Sequence, residues 1–417
     1  MDFFSAIPLP LWIAALLAFY VAWAIGANDV ANAMGTSVGS GALTVGGAII
    51  VAAIFEFAGA FLAGGHVTDT VRKGMLDMSL LGREQLIYGM MASLASAGTL
   101  LIGATRFGLP ISTTHAIVGA IVGFGAVAIG IDAVNWPKVL QISLSWITSP
   151  LLAGVIAFAT FHLIRSTILN KSNPVHQIRK YGPAFFFFVF FIIGLVTLFK
   201  GLKHINLDLD LMEALAGSVA LGLIGSGIGA FFIRRVQIGE ADPDHRFDQV
   251  ERIFVVLQIL TACAIAFAHG SNDVANAIGP LAAIVNAVEN VDLTAKAPVA
   301  PWMLAIGGLG IVIGLATWGY RVMETVGKKI TELTPSRGFA AQLAAASTIV
   351  LASRLGIPIS TTHTLVGAVL GVGLARGITA LDLRVVGNIL ASWIATLPIA
   401  AALSVFFYYF FKGLLTA

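Results

Sequence analysis

Apolar runs long enough to cross a bilayer follow one another along the chain, near 10–26, 45–65, 85–105, 139–161, 184–199, 211–233, 253–268, 300–320, 338–353 and 385–411. A spanning helix takes roughly 20 mostly apolar residues, so these runs fill most of the 417-residue sequence. Little is left to face water. Charged residues make up 11% of the chain and hydrophobic ones 58%, with a mean hydropathy of +0.93. A soluble protein carries about 25% charged residues. The chain therefore reads as an integral membrane protein, with the lipid bilayer as its solvent. No alternation is sustained enough for a β-barrel, so the expected class is an all-α polytopic membrane protein. A net charge of +3, dispersed along the chain, gives no reason to expect nucleic acid. Cys263 is alone, which excludes an intrachain disulfide and a cysteine metal site. Met1-Asp2-Phe3-Phe4 lacks the basic start of a signal peptide, so the first run is expected to stay as a span.

Two further stretches, 107–130 and 355–378, are interrupted by Gly, Pro and Ser/Thr and read as broken helices. The chain also repeats itself. Gly26-Ala27-Asn28-Asp29-Val30-Ala31-Asn32-Ala33 returns as Gly270-Ser271-Asn272-Asp273-Val274-Ala275-Asn276-Ala277, at an offset of 244. Arg106-Phe107-Gly108-Leu109-Pro110-Ile111-Ser112-Thr113-Thr114-His115 returns from Arg354 to His363, at an offset of 248. A weaker echo pairs Ser145-Trp146-Ile147 with Ser392-Trp393-Ile394. The same motifs in the same order mark an internal duplication: repeat 1 over 8–161, a connector with two membrane helices over 162–252, and repeat 2 over 253–411. Interrupted helices at matching positions of two halves point to the binding site of a secondary transporter.

If the broken stretches cross the membrane, each half has five spans and the connector two. Seven spans then precede the second half, and the repeats are inverted. If those stretches are re-entrant, ten spans and parallel repeats result. The distribution of Lys and Arg favours neither model. Both place the basic segments 162–183, 234–252 and 321–337 in the cytoplasm, and they disagree about 66–83. The twelve-span model with inverted halves and external termini is the expected one.

Asn28, Asp29 and Asn32, with their counterparts Asn272, Asp273 and Asn276, fall where the first and seventh apolar runs are expected to break. A carboxylate at such depth costs a few kcal/mol unless it meets a cation, a donor or water. Carboxylate and amide oxygens are hard ligands suited to sodium. A hydrogen-bonded helix clasp is the plainer reading, but one clasp does not need the same motif in both halves. Proline disfavours helix before itself, and Ser112 or Ser360 can cap the helix that follows. Each opening then offers N–H groups, the hydroxyls of Ser112, Thr113 and Thr114 or of Ser360, Thr361 and Thr362, and the positive end of a helix dipole. That is an anion site, and two openings can close on one tetrahedral anion. His115 and His363 lack partner ligands for a metal and read as capping or orienting residues. Glu56, within the 45–65 run, has no acidic counterpart and reads equally as functional or structural. The Phe185-Phe186-Phe187-Phe188 run is expected to face lipid, and Arg106 and Arg354 to lie at the membrane interface.

These paired signatures resemble those of the inorganic phosphate transporter family of sodium- or proton-coupled symporters, over roughly 10–161 and 253–411. The resemblance implies about twelve transmembrane helices, inverted repeats with helical hairpins, and orthophosphate as substrate. It also implies that the repeated positions bind phosphate (Asn28, Ser112, Thr113, Thr114, Asn272, Ser360, Thr361, Thr362) and the coupling cation (Asp29, Asn32, Asp273, Asn276). The chain lacks the large connector loop of animal relatives, which points to a prokaryotic plasma membrane. The expected function is sodium-coupled phosphate import, with sodium as coupling ion, no organic cofactor, and room for a homodimer. Proton coupling and transport of another oxyanion such as sulfate are the alternatives. A carboxylate facing the anion would reject sulfate, which has no proton to donate. An intramembrane hydrolase using Ser or His is the alternative from another class, and it does not explain the duplication.

Overall fold

A computed structural model describes residues 8–65, 75–77, 80–200, 209–235, 246–289, 299–354 and 359–416. The described residues are helical apart from turns and a single bridge between Leu76 and Val134. In chain order the principal helices are α1 (Leu9–Gly39), α2 (Val45–Ala63), α3 (Arg83–Arg106), α4 (Thr113–Ala128) and α5 (Trp136–Leu169). Then come α6 (Pro174–Lys200), α7 (Leu211–Arg235), α8 (Arg246–Glu289) and α9 (Pro301–Trp318), which a short turn, Tyr320–Glu324, continues. The last three are α10 (Pro335–Arg354), α11 (Thr361–Arg376) and α12 (Leu383–Thr416).

Among the described residues, nine helices are long and apolar enough to span a bilayer. The others, α4, α10 and α11, are shorter or more polar. They are also the interior: Thr113–Ile121 and Thr361–Val369 are buried without interruption. A helix shielded from lipid by other helices has no need of an apolar surface, so hydropathy alone undercounts the helices that matter most.

Glycines set the helix pairing. A Cβ at Gly26 would lie 1.8 Å from the Ile311 carbonyl oxygen, and one at Gly314 would lie 1.8 Å from that of Trp23. Further along, Gly35 faces Met323 and Gly39 faces Gly327, so α9 and its continuation run parallel to α1. The duplicated contact is equally close: Gly270 meets the Glu56 carbonyl, Gly59 that of Phe267, and Gly64 the Val274 side chain, so α8 runs parallel to α2. Gly308 faces Phe57 while Gly64 faces Leu304, which makes α2 and α9 antiparallel. It follows that α1 and α8 point in opposite directions. The other end of each half repeats the logic. Gly119 and Gly123 pack in register on Leu397 and Ala401, and Gly367 and Gly371 on Pro150 and Gly154. Helix α4 thus runs parallel to α12 and α11 parallel to α5. The halves are inverted and exchange partners across a pseudo-twofold axis.

Two local expectations, on the Gly-x-Asn-Asp segments and on the four phenylalanines, differ from the structure. The Gly-x-Asn-Asp segment is a π-helical turn, Gly26–Val30, in α1. In α8 the same signature lies inside an unbroken 44-residue helix. There Ser271 donates to the Ala268 carbonyl and Asn272 to Asp273, both within the same helix, while Asp273 accepts from Thr361. The interruption at 107–112 is the tip of a hairpin in which α3 and α4 run antiparallel, with Gly89 against Phe124 and Gln85 reaching the Ala128 carbonyl. The four phenylalanines do not all face lipid. Phe185 packs between Phe254 and Phe339, Phe186 fills the space over Gly229, and Phe188 is exposed. Successive helical residues are turned by about 100°, so four in a row cannot share one face.

Inversion places Arg83, at the start of α3, and Lys329, after α9, at opposite ends of the molecule. In a Cys263→Ala background, Glu84→Cys and Lys329→Cys should react with a membrane-impermeant maleimide from opposite sides of the membrane. Parallel halves would label both from one side. A Gly371→Ala side chain would sit 2.1 Å from the Gly154 carbonyl oxygen, whereas a Cβ at Gly387 meets nothing within 4 Å. Thermal unfolding of the purified protein should show Gly371→Ala destabilised by about 1–3 kcal/mol and Gly387→Ala, inside a helix with open space, not destabilised.

Candidate functional site

The starts of α4 and α11 meet the middle of α1 and α8. Asn28, in the π-helical turn, holds the tip between α3 and α4 with every polar atom of its side chain. Its Nδ2 donates to Thr105 Oγ1 at 2.9 Å and to the Leu109 carbonyl at 3.0 Å, and its Oδ1 accepts from the Ile111 amide at 3.2 Å. Ser112 caps α4 by accepting from the His115 amide at 3.2 Å, and Ser360 caps α11 by accepting from the His363 amide at 3.1 Å. In both halves the serine fixes the helix start, and the next two residues are carried into the interior.

There the hydroxyls meet the carboxylates. Thr113 donates to Asp29 Oδ2, and Thr362, from the other repeat, donates to Asp29 Oδ1. Thr361 donates to Asp273 Oδ2 at 2.8 Å and also lies 3.5 Å from Asp29 Oδ1. Asn272 Nδ2 donates to Asp273 Oδ1 at 2.8 Å. Asp29, Asp273 and the three threonines are buried. Thr114 is buried at the second position of α4, and Asn276 is buried with an Nδ2 that has no acceptor. Asn32 lies in α1, but its side chain falls outside the described residues, as do Pro358 and the side chain of Arg354. Arg106 is exposed, and its carbonyl accepts from Arg321.

Two groups at this centre were not identified as a pair from the sequence. His269 Nδ1 lies 3.0 Å from Glu56 Oε2, while His269 Nε2 lies 2.8 Å from Asp273 Oδ2 and 3.5 Å from Asp29 Oδ1. One imidazole therefore bridges three carboxylates. A ligand atom from each of Asp29, His269 and Asp273 falls within 4.8 Å of the others. A cavity of about 10 Å³ adjoins Asp29, His269 and Thr361 and is otherwise walled by Ala33, Ile265, Ile349 and Leu365. That is space for one water-sized particle. The available signal was an ionisable residue just before the second signature, where the first has Ile25.

His115 and His363 take a separate place. His115 stacks on Trp146 with centroids 3.5 Å apart, His363 stacks on Trp393 at the same distance, and the two rings meet edge-on at 4.3 Å. His363 Nδ1 lies 3.2 Å from the Trp146 carbonyl. These rings pack the two halves together near the axis rather than joining the carboxylate cluster.

The arrangement suits ion binding: paired carboxylates and hydroxyls for a hard cation, and two capped helix N-termini for an anion. Comparison with known proteins agrees with that chemistry. A family model described as the phosphate transporter family matches residues 25–404. A Haemophilus influenzae protein that carries the name of a phosphate permease is 48% identical over 402 residues, covering 96% of both chains. The chloroplastic inorganic phosphate transporter 2-1 of Arabidopsis thaliana is 43% identical over 430 residues, covering 96% of this chain and 72% of that one. A solved structure described as the sodium-dependent phosphate transporter matches with a TM-score of 0.89 at 41% identity, covering 97% of this chain and 99% of that one. The chain is a multi-pass membrane transporter, not an enzyme, and it belongs to the phosphate transporter family.

Proposed function

We propose that this transporter imports inorganic phosphate together with sodium, by alternating access around the cluster where the two repeats meet. The observation that carries the reading is the crossed bonding of Asp29, which accepts from Thr113 of its own repeat and Thr362 of the other. A ligand bound there senses both halves at once. In this reading Asp29, Asn32, Asp273 and Asn276 take sodium. The hydroxyls of Ser112, Thr113, Thr114, Ser360, Thr361 and Thr362, with Asn28 and Asn272, serve the phosphate. Repeat 1 extends over 8–161, repeat 2 over 253–411, and 162–252 connects them. Both termini lie outside a prokaryotic plasma membrane, with 321–337 in the cytoplasm.

Charge dictates the order of events. A doubly charged phosphate cannot enter a low-dielectric site beside two carboxylates that repel it unless a cation offsets their charge. Sodium on each aspartate turns the repulsive pocket into an attractive one. It also takes up the carboxylate oxygens, which frees the threonine hydroxyls to turn toward the anion. By linkage, phosphate must tighten sodium binding by the factor by which sodium tightens phosphate binding. The name of the similar solved structure, a sodium-dependent transporter, supports sodium as the ion.

Proteoliposomes holding the purified protein should take up labelled phosphate faster under an inward sodium gradient, and excess sulfate should not compete. Asp29→Asn and Asp273→Asn should each abolish the sodium stimulation. Uptake that ignores sodium and follows a pH gradient would replace sodium by the proton. Thr113→Val and Thr361→Val keep the side-chain shape and remove a donor. Each should weaken phosphate binding roughly 10- to 150-fold, the equivalent of about 1.5–3 kcal/mol for a hydrogen bond to a charged group. Equal phosphate affinity in wild type, both variants and their double would place the anion elsewhere.

A further inference from the structure

The pseudo-twofold axis relates most of the site to itself: Asp29 to Asp273, Thr113 to Thr361, Ser112 to Ser360, Gly26 to Gly270. One pair breaks the rule. His269 precedes Gly270 where Ile25 precedes Gly26. Glu56 offers its carbonyl to Gly270 where Ile311 offers its own to Gly26. An imidazole–carboxylate pair therefore occupies one half of the site, and two isoleucines occupy the equivalent place in the other. Symmetric cation sites do not require this pair, so it has a task that falls on the site only once. A single anion shared by two repeats is such a task.

We infer that His269 is a phosphate-binding residue that donates through Nε2, and that Glu56 is the positioning residue that aims it; the inference rests on the phosphate reading above. The donor inventory of the cluster leads there. Asn28 spends its amide hydrogens on Thr105 and Leu109, Asn272 donates to Asp273, and the three threonine hydroxyls donate to carboxylates. Among the described residues Asn276 Nδ2 has no acceptor, and the partners of His269 Nε2 are the two aspartates themselves, Asp273 Oδ2 at 2.8 Å and Asp29 Oδ1 at 3.5 Å. Asn276 is an amide that can present its oxygen instead.

His269 is 2% exposed, and its other nitrogen is anchored by Glu56 at 3.0 Å. A carboxylate behind one imidazole nitrogen fixes the ring and directs the other nitrogen, as it does for metal-bound histidines. Here the directed nitrogen points between Asp29 and Asp273, on the line where the half-sites meet. A hard cation held by Asp29, Asp273 and hydroxyl oxygens has little use for imidazole, a ligand better matched to transition metals. An oxyanion needs N–H donors. Once cations screen the two aspartates, Nε2 is left with the anion as its partner.

The test separates anion from cation binding in the purified full-length protein. Labelled phosphate is titrated at saturating sodium, and labelled sodium is titrated in the absence of phosphate. His269→Ile, which copies the residue at position 25, should weaken phosphate binding roughly 10- to 150-fold, a larger factor than any change in sodium binding. His269→Gln, which keeps an N–H donor, should lose less. Glu56→Gln should weaken phosphate binding alone, and should add nothing in a His269→Ile background, since it acts through the ring. Should His269→Ile fail to purify as a monodisperse protein, His269→Gln and Glu56→Gln must still show the same selective loss. Unchanged phosphate affinity, or equal losses of phosphate and sodium binding, would overturn the assignment while the phosphate reading stands. A wild-type protein that binds no phosphate at any sodium concentration would overturn both.

Discussion

Two aspartates at bilayer depth are the constraint around which the molecule is built. A carboxylate there is costly unless its surroundings supply donors or cations, and this chain gathers them from both ends of its sequence. Asp29 is held by a threonine 84 residues away and another 333 residues away. Asp273 accepts from Thr361 and Asn272 of its own repeat, whereas Asp29 takes a donor from each repeat. The crossed bonding of Asp29 therefore ties the inverted halves together. The helices that carry the threonines have to approach α1 and α8 from opposite faces of the membrane, and the glycine contacts let them approach backbone to backbone.

Insulating the cluster decides which helices can be polar. Helices α4 and α11 carry the hydroxyls and lie buried among other helices, while α5, α7 and α12 present leucine, isoleucine, valine and phenylalanine outward. The connector helices α6 and α7 pack on each other through Gly222, Gly225 and Gly229 against Phe187, Phe190 and Phe186. That interface has no polar demand to meet, so it relies on close fit of small against large residues.

Much of this was legible in the residues. The signatures recur at nearly constant offsets, so Asp29, Asp273 and the threonines could be named before their contacts were seen. Ser112 and Ser360 follow a proline by two residues, and that spacing located both helix caps. Hydropathy located the lipid-facing helices and undercounted the buried ones, because burial inside protein replaces the apolar surface that a scan detects. Phe185 and Phe186 were misplaced because composition carries no phase, whereas the helix turns each residue to a different neighbour. His269 was missed for the opposite reason to that which made Asp29 visible. Repetition was the signal, and His269 has an isoleucine as its counterpart, so the search for matching pairs passed over it.

The signature itself is the last step. Gly26–Val30 and Gly270–Val274 differ at one residue, Ala27 against Ser271, yet the first forms a π-helical turn and the second an ordinary α-helix. Local propensity cannot explain the difference, because alanine and serine differ by at most a few tenths of a kcal/mol in helix preference. Packing decides it. The first copy is held by Asn28 at a hairpin tip, while in the second Asn272 turns to its neighbour Asp273. One sequence thus supports two backbone forms whose free energies lie within reach of a few hydrogen bonds. For two inverted halves to exchange roles, each must be able to adopt the form the other holds. A near-identical segment in two conformations, with an aspartate at the same place in both, meets that requirement within a single molecule.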